Sequence, residues 1–99
     1  MTEHAGLIQV TTLRPAPERR DEVLALCAET QEHAAVADGC FGAQTCTVDE
    51  DPDAVVAISR WRDRHSLEAF QAAEGASPPI GVRDVLTDVP VTRQYTPVG

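Results

Sequence analysis

The chain has 99 residues, enough for one modest core that buries about 60–70% of the surface the unfolded form exposes. Asp and Glu number 16 against 8 Lys and Arg, a net charge of -8 at pH 7. That balance argues against nucleic acid and against an anionic membrane surface as partners, since both need a Lys/Arg patch.

Gly6 to Leu13 reads as a first strand. Ile8, Val10 and Thr12 share one face, and Leu7, Gln9, Thr11 and Leu13 the other. Both faces are largely apolar or Thr, so both are expected to be covered. Pro15 and Pro17 stop the strand. Glu18 to about Ala37 reads as a long helix with Val23, Leu26, Cys27, Thr30, Ala34 and Ala37 as its apolar stripe. Gly39 supplies the stop.

Cys40 to Val48 is the second strand, with Phe41, Ala43, Thr45 and Thr47 alternating against Gly42, Gln44, Cys46 and Val48. Asp49 to Asp53 is a turn, so the second and third strands are expected to form a hairpin. The third strand, Ala54 to Trp61, is β-branched and ends in the one Trp of the chain. Asp63 stands as a helix cap, and Leu67 and Phe70 follow at helical spacing over Arg64 to Ala73. Glu74 to Pro79 is a break rich in Gly, Ser and Pro. Ile80 to Leu86 is expected to hold a short helical turn. Val89 to Pro97 closes the chain as a fourth strand, with its prolines near the ends, where a missing amide donor does least harm.

The order β-α-β-β-α-β predicts an α+β, ferredoxin-like fold with a four-stranded antiparallel sheet and helices on one face. Residues 1–99 are expected to form one domain, with the core over about 6–97. One Trp, one Tyr and two Phe are a thin aromatic supply. The helix-free sheet face still carries apolar residues, and a second subunit is its economical cover, so a homodimer packed sheet to sheet is expected. No apolar run approaches the ~18–20 residues of a membrane span, and Met-Thr-Glu-His does not read as a signal peptide. Cys27, Cys40 and Cys46 are an odd set that favours reduced thiols and a cytoplasmic setting. Their spacing is not that of a zinc or redox pair, so no metal site is expected.

Three stretches then carry a family resemblance. They are Asp38-Gly39-Cys40-Phe41-Gly42 after the long acidic helix, Ser59-Arg60-Trp61-Arg62-Asp63 at the end of the third strand, and Leu67-Glu68-Ala69-Phe70 in the short helix. Together they resemble the antibiotic biosynthesis monooxygenase (ABM) domain family of dimeric α+β barrels, over about positions 6–97. The resemblance implies one of several activities: oxidation of polyketide phenols or hydroquinones by molecular oxygen without metal or flavin, haem degradation, or a quinone-related or unassigned role, while structurally similar dimers cyclise polyketides. The haem branch uses an axial His after the second helix and an Asn in the first strand. Here no His follows His65 and Val10 stands at the strand position, which argues against haem. The phenol-oxidising branch places an Asn shortly before its Trp, where this chain has Ala57 and Ile58.

Cofactor-free oxygenation needs a dry apolar pocket, a group that favours the deprotonated substrate, and donors for the developing oxyanion. Trp61 offers an indole N–H and a flat surface. His33 flanks the stripe of the first helix and is the expected base, because His titrates near neutral pH. Val10, Thr12, Cys27, Phe41, His65, Phe70 and Ile80 are the expected lining. The resulting expectation is a cytoplasmic, secondary-metabolic, cofactor-free monooxygenase acting on a small aromatic, phenolic or quinone-like substrate with oxygen. A cofactor-free cyclase or isomerase, and a binding dimer without catalysis, remain open.

Overall fold

The computed structural model describes residues 5–73 and 85–98. The elements are β1 (Leu7–Leu13), α1 (Arg20–Ala35), β2 (Cys40–Val48), β3 (Asp51–Trp61), α2 (Arg64–Ala73) and β4 (Val91–Tyr95). The four strands form one antiparallel sheet in the order β2-β3-β1-β4. The expected ferredoxin-like arrangement is therefore the observed one.

Residues opposite one another on antiparallel strands share a face. Leu7 pairs with Trp61 and Leu13 with Val55. All four are buried, together with Val23 and Ala34 of α1 and Leu67 of α2. Odd-numbered residues of β1 and β3 therefore face the helices. Ile8, Val10, Thr12, Val56 and Ile58 face the other way, beside Val91 and Tyr95 of β4. Burying each Leu or Val of the helix side contributes about 1.5–3 kcal/mol.

The core has two centres. Leu13, Val23, Val55 and Val85 form one. Leu7, Ala34, Trp61 and Leu67 form the other, with Phe70 and Cys40 against it. Val85 belongs to a segment bound to the loop after β1. Ala16 N donates to Val85 O at 2.7 Å, Thr87 N donates to Arg14 O at 2.8 Å, and Leu86 bridges Pro15. Leu86 is thus in a β-bridge rather than the expected helical turn, and residues 80–84 lie outside the described residues. The expected third strand is also longer than read. It starts at Asp51, leaving a short turn at Asp49 and Glu50, and Arg14 pairs with Asp51 across its start at 2.8 Å.

A polar clasp joins the ends of α1, β3 and α2. Gly39 adopts φ +83. A Cβ there would lie 2.3 Å from Ser66 Oγ, so both the conformation and the space require glycine. Asp63 caps α2 as expected, its Oδ1 accepting from the Ser66 backbone N–H and from Ser66 Oγ, each at 2.8 Å. Arg62 reaches Asp38 at 3.3 Å and Ser66 at 3.2 Å. At this same end of β3, Gly6 N donates to Trp61 O at 2.9 Å. A Cβ on Gly6 would meet Arg62 O at 2.3 Å, so only glycine lets β1 start this close to its neighbour.

Candidate functional site

Between the two core centres lies a cavity of about 650 Å3, bounded by the sheet, α1 and α2. That volume is in the range of small-molecule sites. Leu13, Leu26, Cys27, Ala34, Trp61, Leu67 and Phe70 supply apolar walls. The sheet supplies a polar floor of Gln9, Thr11, Thr45 and Ser59. Exposed Thr30, Glu68, Gln71 and Thr92 stand at its rim.

The position of each wall follows from local structure. Val23, Leu26, Cys27, Thr30 and Ala34 recur at three- and four-residue steps, which brings them to one side of α1. Trp61 is fully buried at the end of β3. Its ring lies 5.3 Å from that of Phe70, tilted by 37°. Its indole Nε1 donates to Ser59 Oγ at 2.8 Å. The single Trp N–H is therefore held by the protein itself, and the fully buried indole backs the cavity wall behind the partly exposed Phe70.

The floor is cross-linked by neutral hydrogen bonds. Thr11 and Thr92 hydroxyls are 3.0 Å apart. Gln94 Nε2 donates to Gln9 Oε1 at 3.1 Å, and Thr45 Oγ1 donates to Gln31 Oε1 at 3.1 Å. Charge is scarce: among the described lining residues only Cys27 and Glu68 are ionisable. Burial pushes the Cys27 thiol above its ordinary value, so it remains protonated near neutrality. A neutral, half-buried thiol is a weak donor and an apolar wall, not a nucleophile.

The structure brings Trp61, Cys27 and Phe70 of the expected site together at this cavity. It separates the others. Val10 and Thr12 lie on the helix-free face, one residue out of phase with the lining pair Gln9 and Thr11. Phe41 is the extra residue of a β-bulge. Cys40 pairs with Trp61 and Gly42 with Arg60, which leaves Phe41 unpaired and 37% exposed. His33 is exposed on α1, about 100° around the helix from Ala34, and does not line the cavity. His65 is exposed two positions before Leu67, about 200° away on α2. Ile80 lies outside the described residues.

Gln9, Thr11, Gln31, Thr45 and Ser59 were not foreseen. Polar residues on a strand read as solvent-facing, and only the pairing of Leu7 and Leu13 with buried partners shows that this row points inward. The sequence did carry that cue: Leu7 and Leu13 share their parity with Gln9 and Thr11.

Fold and cavity together define a small-molecule-binding α+β protein of the ferredoxin-like class. Residues 6–77 match the model of the antibiotic biosynthesis monooxygenase family, and the chain belongs to that family. No curated protein matches it. Among solved structures it is similar to Rv0793 from Mycobacterium tuberculosis, with 20% identity, 94% of this chain and 95% of that chain covered, and a TM-score of 0.82. It is also similar to a conserved protein from Methanosarcina mazei Go1, with 18% identity, 95% and 94% covered, and a TM-score of 0.84. An antibiotic biosynthesis monooxygenase structure gives 22% identity, 94% and 99% covered, and a TM-score of 0.81. At these identities the likeness shows the shared fold. Among the described residues no helix is long and apolar enough to cross a membrane.

Proposed function

We propose that this protein is a cofactor-independent monooxygenase that takes a flat phenolic or quinone-like molecule, of polyketide type, into the cavity and oxidises it with molecular oxygen. The observation that carries this reading is the pairing of apolar aromatic walls with a neutral hydrogen-bonding floor, in a chain of this family. Such a site holds a planar ring by contact and orients its oxygen substituents by hydrogen bonds.

The chemistry balances without an added reductant. Loss of a proton from an activated C–H or phenol gives an electron-rich anion. The anion passes one electron to oxygen, and the radical pair combines to a peroxide. Loss of water from the peroxide leaves one oxygen atom as a new carbonyl, and the two hydrogens of the substrate leave with the other. Glu68 is the one carboxylate among the described lining residues and takes the proton-accepting role first expected of His33. Phe70, backed by Trp61, holds the ring.

A second copy of the chain would cover the helix-free face. Ile8, Val10, Val56 and Ile58 there support that reading, with Val91 at 53% and Tyr95 at 49% exposure beside them. Two copies packed through this face would leave both cavities on the outside of the pair.

The test is oxygen uptake with anthrones, hydroquinones and polyhydroxylated aromatics in metal-chelated, flavin-free buffer. Thr30→Trp is the control, because it fills the mouth from an exposed helix position. Uptake by the wild type that Thr30→Trp abolishes supports the reading. Substrate consumption without oxygen uptake replaces it with a cyclase or isomerase.

A further inference from the structure

Two hydrogen-bond chains end on the cavity floor, and each begins at a group that can only donate. The first starts at Arg64, whose Nη1 donates to Gln94 Oε1. A guanidinium has no acceptor, so Gln94 must turn its carbonyl oxygen to Arg64 and its amide nitrogen onward. Gln94 Nε2 then donates to Gln9 Oε1. That uses the oxygen of Gln9 and leaves its Nε2 as the end facing away from the chain. The second starts at Trp61, whose indole N–H is also donor-only and occupies Ser59 Oγ as an acceptor. The hydroxyl hydrogen of Ser59 must then point elsewhere.

Gln9 and Ser59 are direct partners in the β1–β3 register, and both line the cavity. Partners on one face have Cβ atoms about 4.5–5.5 Å apart, close enough for two donors to meet one ligand atom. Among the described residues neither the Gln9 amide hydrogens nor the Ser59 hydroxyl hydrogen has a protein acceptor. The two chains therefore fix the polarity of the floor without placing a charge on it.

We propose that Gln9 and Ser59 form a two-donor site for an oxyanion, the phenolate or enolate oxygen of the molecule bound in the cavity. Arg64 and Gln94 are positioning residues that act through Gln9, and Trp61 acts in the same way through Ser59. The inference rests on the small-molecule reading of the cavity and deepens it: the site selects the ionised form of its ligand. A neutral phenol oxygen accepts from these two donors more weakly than a phenolate does, since hydrogen bonds to an ionised acceptor are roughly twice as strong. A phenolate needs only donors, and a chain polarised by a guanidinium strengthens them.

The experiment is a spectroscopic titration of 4-nitro-1-naphthol, whose naphtholate is coloured, bound to the full chain. The ratio of ionised to neutral probe should rise about tenfold on binding, an effect of the size one good charge-assisted hydrogen bond supplies. Gln9→Leu and Ser59→Ala should each remove most of that rise. Gln94→Glu is the discriminating variant. It keeps its partner in Arg64 but has no hydrogen to give, so Gln9 must donate to it and turn its own oxygen to the cavity. The ratio should then fall below that of Gln94→Leu, a reversal that a purely structural role would not produce. Binding with ionisation unchanged from water, or unchanged by Gln9→Leu, overturns the donor pair and leaves the cavity reading standing. No binding of the probe up to its solubility limit overturns both.

Discussion

Trp61 donates its indole hydrogen to Ser59, two positions back on the same strand and on the same face. The most buried aromatic of the core is thereby tied to a residue of the cavity floor. Ser59→Ala would leave a fully buried N–H without its acceptor and should cost about 1–3 kcal/mol. Trp61→Phe removes the donor together with part of the packing and should cost a similar amount. Because the two share one bond, the double variant should cost clearly less than the sum, as read from urea unfolding midpoints. Strict additivity would show that the bond contributes nothing.

Acid should unfasten the cap of α2. Hydrogen bonds from the Ser66 backbone and hydroxyl hold the Asp63 carboxyl below its ordinary value of 3.8. A carboxyl depressed on folding stabilises the fold at pH above its unfolded value, and that contribution is lost as pH falls through the folded value. Asp51, held down by Arg14, and Glu22, held down by Arg19, act in the same direction. Thermal melts should therefore be flat from neutral pH to about 5 and fall below about 4. Asp63→Asn should melt a few degrees lower at pH 7 and show a shallower acid decline. An unchanged acid decline would assign it to other groups.

Gly39 and Gly42 should respond unequally to the same change. Gly39→Ala places a Cβ at φ +83 against Ser66 Oγ. The conformation alone costs about 1–2 kcal/mol, and the crowding adds to it. Gly42→Ala finds open space and should stay within about 0.5 kcal/mol. Chemical denaturation of the two variants side by side decides this.

Self-association should depend on the helix-free face. Val10 sits at its centre, opposite Ile58. Sedimentation of the wild type should give the mass of two chains, and Val10→Glu that of one. A wild-type monomer at micromolar concentration would remove the second copy from the reading.

His33→Gln should leave oxygen uptake unchanged, because His33 does not line the cavity. Glu68→Gln should slow it by about a hundredfold or more, the lower end of the range for a lost general base. A slow His33→Gln with a normal Glu68→Gln would restore the histidine.

Much of the fold was legible from local chemistry. The bounds of β2 and α2 follow from Gly39 and from Asp63 with its helical Leu67 and Phe70, and the structure places both elements where those residues put them. The third strand lost its first residues to the acidic, proline-containing stretch Asp51-Pro52-Asp53, whose composition imitates a turn while its backbone pairs as a strand. The site was harder. Strand parity separated Val10 from Gln9 but not inside from outside, since both faces carry apolar residues. Phe41 was misplaced by a bulge, which shifts the phase of a strand by one residue and leaves no mark in its hydrophobic pattern. Gln9 and Ser59 belong to one site only because β1 and β3 pair in this register, and Gln94, the partner of Gln9, comes from β4, far along the chain.

Strand β4 has a consequence for how occupancy of the cavity would be felt. It is the shortest strand, it pairs only with β1, and every one of its residues is exposed. A short edge strand of this kind opens more readily than the strands beside it. Yet Gln94 and Thr92 on it hold Gln9 and Thr11 of the floor. A ligand gripped by Gln9 therefore binds more tightly when the end of the chain is docked. Linkage makes the effect mutual. The ligand should slow amide hydrogen exchange over Thr92 to Gln94, turning the C-terminal strand into a reporter of an event on the other side of β1.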